Sequence, residues 1–265
     1  MKVIEKKTDR YERLIRHLKE NNNFSTVKDI SAYLGVSTMT VYRDVEELCQ
    51  KEVLNQVYGG VILNQDYIDD VSSIVDFYSV KKSEEVNADK KERIARKAIS
   101  LLEAEDVILI DSGSTTERFA RMLPTSIPLT ILCHATNILN AIQQKPNCRI
   151  FLAGGFYHPS TQCFESNEGL ALIRRVRTSK AFISASGVSD KLGATCYHMF
   201  ESETKRAIME TSNQKILLAD SSKFGKITNS FFANLRDFDV IITDTGISQY
   251  YKDYLIDSGK IVYIV

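Results

Sequence analysis

No excess of either charge marks this 265-residue chain, in which 34 lysines and arginines face 34 aspartates and glutamates. It is therefore not a polycation that coats nucleic acid along its whole length. Cysteine is scarce and scattered. Cys49, Cys133, Cys148, Cys163 and Cys196 contain no Cys-x-x-Cys pair and have no histidine at ligand spacing. That pattern argues against a structural metal site and against a disulfide framework, and it fits the reducing cytosol. No apolar run approaches the ~20 residues that a membrane helix needs. Charged residues follow Met1 where a signal peptide would have an apolar core. The expectation is a cytoplasmic protein without metal, cofactor or membrane partner.

Length leaves room for one small and one sizeable domain. The most informative stretch is Val36 to Leu48 followed by Val53 to Gly60. Ser37 can cap a helix, and Val41, Val45 and Leu48 at i, i+4, i+7 give that helix one buried stripe. Thr38, Met39, Thr40, Tyr42 and Arg43 then point outward. Short polar residues at a helix start with an arginine one turn later suit a DNA major groove, where hydroxyls bond phosphates or base edges and guanidinium reads guanine. Upstream, Thr8 or Asp9 is placed to cap a first helix with Tyr11, Leu14, Ile15 and Leu18 inward. Asn21 to Asn23 ends it. A second helix follows with Val27, Ile30 and Leu34 inward, and Gly35 supplies its left-handed end. Downstream, Val53-Leu54 and Val57-Tyr58 are short strand candidates, with Gly59-Gly60 in a tight turn. This pattern predicts a winged helix-turn-helix. Residues 1–28 carry eight lysines and arginines against four acids, so helix 1 and its leading arm are expected to lie along phosphates. Asp44, Glu46 and Glu47 read as packing or solubility groups, with Asp44 placed to orient Arg43.

These residues resemble the DeoR-type DNA-binding domain: Leu34-Gly-Val-Ser37, Met39-Thr-Val41, Arg43-Asp-Val45 and Tyr58-Gly-Gly60 match its pattern. The chain departs from it at Tyr42, Glu52, Asn55-Gln56 and Tyr58, where the family carries another arginine, a glycine and more basic wing residues. Fewer charges imply a shallower salt dependence of binding. The expected DNA contacts are Lys28, Ser37, Thr38, Thr40, Tyr42, Arg43, Gly59 and Gly60.

The remainder alternates strands and helices. Apolar runs at Val107–Ile110, Leu129–Cys133, Ile150–Ala153, Ala181–Ser184, Ile216–Ala219, Val240–Thr243 and Ile261–Val265 are separated by helical stretches. Continuous apolar strands linked by helices imply a mostly parallel sheet covered on both faces. The predicted fold class is α/β, a winged helix-turn-helix at residues 1–62 followed by a larger mostly parallel α/β effector-binding domain at 89–265. Residues 63–88, with Ile68, Val71, Ile74, Val75 and Tyr78 spaced for an amphipathic helix, form a hinge. Ligands of such sheets bind beyond the carboxyl ends of the strands. After the first run comes Asp111-Ser-Gly-Ser-Thr-Thr116, a plausible phosphate cradle: Gly113 allows close approach, Ser114, Thr115 and Thr116 offer hydroxyls, and the helix start offers free N–H groups. Other strand ends add Asn137, Gly154-Gly155, Ser186-Gly187, Asp220 and Lys223, and Lys205 reaches in from a helix.

This half is similar to the DeoR-family effector domain, which shares its fold with ribose-5-phosphate isomerase. The likeness rests on Lys91 to Ala95, Asp111 to Thr116, Thr136-Asn137, Leu152 to Gly155, Glu203 to Arg206 and Asp220 to Gly225, while Phe164 to Gly169 departs from the family turn. The resemblance implies that Gly113 to Thr116 hold the phosphate of a sugar phosphate, with Asp111, Lys205, Asp220 and Lys223 around the sugar. It also implies, most often, repression of a sugar-uptake or catabolic operon, while the pairing of a DNA reader with a ligand pocket predicts a homo-oligomer, dimer or tetramer, on a double-stranded operator. The rival is a sugar-phosphate isomerase with an accessory DNA-binding domain. Such enzymes carry an acidic Asp-Gly-Ala-Asp-Glu loop where this chain reads Ala185-Ser-Gly-Val-Ser189, leaving Asp190 or Glu201 as substitutes, so no catalytic residue is assigned. A helix-turn-helix used only for protein contact is the third reading.

Overall fold

A computed structural model describes residues 7–21, 24–51, 53–57, 59–63 and 80–265. The chain divides into two compact units, Met1–Phe77 and Tyr78–Val265. Most of the expected hinge, residues 64–79, lies outside the described residues, as do Asn22, Asn23, Glu52 and Tyr58.

In the first unit, α1 (Lys7–Glu20), α2 (Val27–Leu34) and α3 (Thr38–Gln50) precede a hairpin of β1 (Leu54–Val57) and β2 (Gly60–Leu63). Thr26 caps α2 by accepting from the Asp29 N–H, Gly35 ends it at φ +69°, and Ser37 caps α3 by accepting from the Thr40 N–H. Leu14, Leu18, Ile30, Val41 and Val45 are fully buried and join Leu34, Leu48, Leu54 and Val61 in one core. Ser25 and Val61 exchange backbone hydrogen bonds of 3.1 and 2.9 Å, tying the wing to the start of α2.

Three expectations are corrected. Thr8 and Asp9 lie inside α1 rather than before it. Leu54 and Val57 belong to one strand, because the turn at Gly59 comes after both. Asp44 does not orient Arg43: it is buried and accepts from Arg10 Nε and Nη2 at 2.6 and 2.8 Å. Glu47 pairs with Lys7 and Lys51, and Arg13 donates to the Tyr33 carbonyl. Much of the positive charge of α1 is thus engaged within the domain.

The second unit opens with α4 (Val80–Glu85) and α5 (Ala88–Ile99). It continues through β3 (Val107–Ile110), α6 (Ser114–Arg121), β4 (Leu129–Cys133), α7 (Thr136–Ile142) and β5 (Cys148–Leu152). After the hairpin β6 (Phe156–His158) and β7 (Cys163–Glu165) come α8 (Asn167–Arg175), β8 (Thr178–Ser184), β9 (Gly187–Ser189), β10 (Gly193–Cys196), α9 (Met199–Thr211) and β11 (Ser212–Leu218). The chain ends with β12 (Ser230–Ala233), β13 (Val240–Thr243), α10 (Gln249–Asp257) and β14 (Ile261–Ile264). The large sheet runs β14-β13-β11-β8-β3-β4-β5, and every pairing in it is parallel.

Alternation explains why its strands read as unbroken apolar runs. Ile108 and Ile110 pack into one hydrophobic layer with Ile216 and Leu218, while Leu109 and Leu217 enter the other. Both faces are covered at the centre of the sheet, so consecutive residues there are apolar, while Thr178 to Lys180 and Ser212 to Lys215 put polar residues at the starts of β8 and β11. The chain enters at central β3, steps outward through β4 and β5, then returns to β8 on the other side of β3. The order therefore reverses between β3 and β8, the place where sheets of this kind leave a crevice for ligands.

Candidate DNA-binding face and ligand site

On α3, the core residues Val41, Val45 and Leu48 leave Thr38, Met39, Tyr42, Arg43 and Glu46 exposed. The Ser37 and Thr40 hydroxyls lie 2.9 Å apart and bond one another, so both serve the helix cap. Lys28, Tyr42, Gly59 and Gly60 line one open groove of about 410 Å³ between α2, α3 and the wing, with Thr26 and Gln56 beside them. Glycine is required at position 60, where a Cβ would stand 2.6 Å from both the Phe24 ring and the Ser25 carbonyl oxygen. The structure thus gathers Lys28, Tyr42 and the wing glycines around one hollow, with Thr38 and Arg43 on the adjoining helix face.

In the α/β unit, Asp111 follows β3 at the reversal point and is fully buried. Its carboxylate accepts from Lys205 Nζ at 2.5 Å, from the Ser184 N–H at 2.8 Å and from His134 Nε2 at 3.2 Å. Asp111 directly follows β3 and His134 directly follows β4, Ser184 ends β8, and Lys205 comes from α9. Burial opposes the Asp111 charge, but Lys205 and His134 outweigh it and hold the carboxyl well below the usual range. Burial likewise opposes the Lys205 charge and is outweighed by Asp111, which keeps the amine protonated. Lys205 is thus the counter-ion of Asp111 and is itself buried.

The same balance governs His134. Burial opposes its charge, but Asp111 and the neighbouring Cys163 outweigh burial and raise its pKa to about 9. A folded-state pKa above the unfolded value near 6.5 means that this stabilisation is complete below about pH 6.5 and is lost as pH rises toward 9. The unfolding temperature of this unit should therefore fall between pH 6.5 and 9, and His134→Gln should flatten the profile. A wild-type profile that is already flat across that window would contradict the charge assigned to His134.

Gly113 packs against Ser184 at φ +133°, and a Cβ there would stand 2.7 Å from the Ser184 hydroxyl. This close approach sets the start of α6 against the end of β8. The N–H groups of the first turn of α6 have no intrahelical acceptor. Ser114, Thr115 and Thr116 are all buried, and Thr116 returns its hydroxyl to the Gly113 carbonyl at 3.0 Å. Asn137, at the start of α7, donates to Glu117 at 3.1 Å and to the Gly113 carbonyl at 3.4 Å. Gly155, at φ +150°, lies against the Glu165 carbonyl, closing the loop from β5 into the hairpin, and the adjacent Gly154 carbonyl accepts from Ser166.

A second polar cluster stands at the ends of β11 and β13. Asp220 accepts from Asn87 at 3.1 Å and from the Ser222 N–H at 3.0 Å. Asp244 accepts from the Ser221 N–H at 2.6 Å and pairs with Lys90 at 3.1 Å, and Lys90 also donates to the Ser221 hydroxyl at 2.8 Å. Burial lowers the Lys223 pKa, against the pull of Asp220. Buried polar atoms without a hydrogen-bond partner among the described residues include His134 Nδ1, Thr243 Oγ1 and Tyr11 OH, together with Asn137 Oδ1, Thr161 Oγ1 and Asp220 Oδ2, the last three on segments that follow strands β4, β6 and β11.

His134, Ser184, Glu117 and Asp244 were not singled out in the sequence, although His134 and Asp244 directly follow apolar runs and the strand-end rule reaches them. Asn87 and Lys90 precede the first strand of the sheet, so no local signal marks them. The two substitutes for an isomerase base are both otherwise engaged. Asp190 accepts from the Tyr250 and Tyr251 hydroxyls at 2.6 and 3.2 Å. Glu201 is buried, accepts from the His198 N–H at 3.2 Å, and has its pKa raised by burial against the pull of Lys205. Among the described residues, no group of three or more His, Cys, Asp or Glu is placed to hold a metal ion, and no helix is long and apolar enough to cross a membrane.

A winged helix-turn-helix followed by a separate α/β unit with polar clusters at its strand ends has the layout of a two-part DNA-binding regulator. Residues 10–66 match the DeoR-like helix-turn-helix domain, and residues 86–245 match the DeoR C terminal sensor domain. The chain is 30% identical over 249 residues to the deoxyribose operon repressor of Escherichia coli K12, covering 94% of this chain and 95% of that protein. It is 28% identical over 230 residues to the L-fucose operon activator of Haemophilus influenzae, covering 87% and 89%. A looser likeness is to a structure of ribose 5-phosphate isomerase A from Methanocaldococcus jannaschii, with 16% identity and a TM-score of 0.38 over 52% of this chain and 55% of the other. The chain belongs to the DeoR family of helix-turn-helix regulators.

Proposed function

We propose that the protein represses a carbohydrate uptake or catabolism operon in the cytoplasm and that a phosphorylated sugar controls its grip on DNA. The observation that carries this reading is the pairing of an outward, partly basic recognition face with a polar cluster at the strand reversal point, where sheets of this kind take ligands. In this reading Thr38, Tyr42 and Arg43 meet bases or phosphates, and Lys28, Gly59 and Gly60 track the backbone. The start of α6 at Gly113 to Thr116 takes the phosphate, while Asn137, Asp220 and Lys223 meet the sugar. Asp111 and Lys205 hold the floor of the site together.

A ligand changes DNA affinity only by binding two arrangements of the protein with different free energies. The loop at Asp220 to Lys223 is bonded to Asn87 and Lys90, in the segment that follows the connection from the DNA-binding unit. A ligand drawing on Asp220 or Lys223 therefore pulls on that segment. A dimer or tetramer would place two recognition helices over repeated half-sites.

Thermal unfolding in the presence of phosphorylated sugars, with the unphosphorylated sugars beside them, tests the sensor. One sugar phosphate at a hundredfold excess over its Kd should stabilise the protein by about 2.7 kcal/mol, and Lys223→Ala should abolish the shift. Stabilisation only by unphosphorylated metabolites would overturn the phosphate cradle. On the DNA side, Arg43→Ala should weaken specific binding by about 1–3 kcal/mol if it reads a base, measured by titration against a selected operator. An unchanged affinity removes Arg43 from that role.

A further inference from the structure

On α3, Met39, Tyr42, Arg43 and Glu46 fall at i, i+3, i+4 and i+7 and share one face. Met39 is 62% exposed and Tyr42 52% exposed, and neither belongs to the core of the domain. The fold therefore has no use for a thioether at position 39, in the first turn of the helix. The hydroxyls on either side of it, Ser37 and Thr40, bond each other in the helix cap. That leaves an apolar tip between the cap and Arg43 on the face that the helix-turn-helix turns toward DNA.

We propose that Met39 reads a thymine methyl group in the major groove, with the Tyr42 ring packed beside it. The inference rests on the DNA-binding function proposed above and specifies one letter of the site. In the major groove only thymine offers an apolar methyl, and an unbranched, polarizable side chain adapts well to it. A protein surface is the competing occupant for an exposed methionine. The surroundings favour DNA, because Arg43 is on the same face and Lys28 and the wing glycines line the adjoining groove. Each operator half-site therefore carries a thymine at the position that Met39 faces.

The full-length protein is used to select binding sites from random double-stranded DNA. Each thymine of the selected site is then replaced singly by uracil, which removes only the methyl, and Kd is measured for wild type and Met39→Ala at several salt concentrations. In wild type, one uracil per half-site should weaken binding about fourfold, the worth of one buried methyl-sized group. In Met39→Ala the same uracil should cost nothing further. The slope of log Kd against log salt should be the same in both proteins, since no phosphate contact is lost. The proposal is overturned if every thymine tolerates uracil in wild type, or if the loss persists undiminished in Met39→Ala. Selection of no site at all would overturn the DNA-binding function as well, an outcome distinct from a selected site that is indifferent to uracil.

Discussion

Asp111→Ala should destabilise the α/β unit by about 3–5 kcal/mol, the cost of removing one partner from a buried ion pair. The Lys205 ammonium, with its side chain only 3% exposed, would be left without a counter-charge beneath the sheet ends. His134 and the Ser184 N–H would lose their acceptor as well. Asp111→Asn should cost less, because it keeps the volume and one acceptor oxygen. Denaturant unfolding that follows the larger unit measures both. The pH dependence has a definite sign: the carboxyl pKa is depressed on folding, so the stabilisation is present above the unfolded value near 3.9 and is lost as pH falls below it. A loss under about 1 kcal/mol in the alanine variant would mean that Lys205 finds other partners and that the network does not hold the floor of the site.

Asp44→Ala should destabilise the DNA-binding unit by about 3 kcal/mol. The value is placed at the low end of the range because the Arg10 side chain is 16% exposed and keeps some water. A domain of this size has little stability to lose, so its unfolding should shift below that of the α/β unit. Operator binding should then fail at temperatures where the response to a sugar phosphate persists. Circular dichroism melts of wild type and variant, alongside DNA titration, separate the two. Retention of full operator affinity and an unshifted melt would show that the bidentate Arg10–Asp44 pair is dispensable.

The large sheet is legible in the sequence because the central stretch of a strand covered on both faces is apolar at consecutive positions, as at Ile108–Ile110 and Ile216–Leu218. All seven apolar runs became strands of that sheet. The strands β6, β7, β9, β10 and β12 were invisible for the opposite reason. They are three or four residues long, and nothing in Phe156–His158 or Gly187–Ser189 alternates for long enough to distinguish a strand from a loop. The helix-turn-helix was legible from caps and periodicity, Ser37 and Gly35 above all. The destination of Asp44 was not, because its partner is 34 residues away on α1 and a closer arginine, Arg43, was the obvious local choice.

The polar cluster at the strand ends shows the same division. Asp111, Gly113 and Asn137 are legible as polar or glycine positions because they follow apolar runs or open helices. What a sequence does not display is which strand ends become neighbours. Asp111 meets Ser184 and His134 because β3 lies between β8 and β4, an order set by the reversal of the chain after β5. Lys205, read as a group reaching toward ligand, is occupied by Asp111. Asn87 and Lys90 enter the neighbourhood of Asp220 and Asp244 from a helix that precedes the whole sheet.

The claim at the centre of this account is that DNA affinity and sugar-phosphate binding are linked in one molecule. The direct measurement is the Kd of full-length protein for a selected operator, at fixed salt, with and without each member of a panel of sugar phosphates and their unphosphorylated counterparts. The account predicts that at least one sugar phosphate changes that Kd about tenfold or more, within the usual range of allosteric coupling, that its unphosphorylated form does not, and that Lys223→Ala removes the effect while leaving the ligand-free Kd unchanged. Tight operator binding that no phosphorylated sugar alters would contradict it.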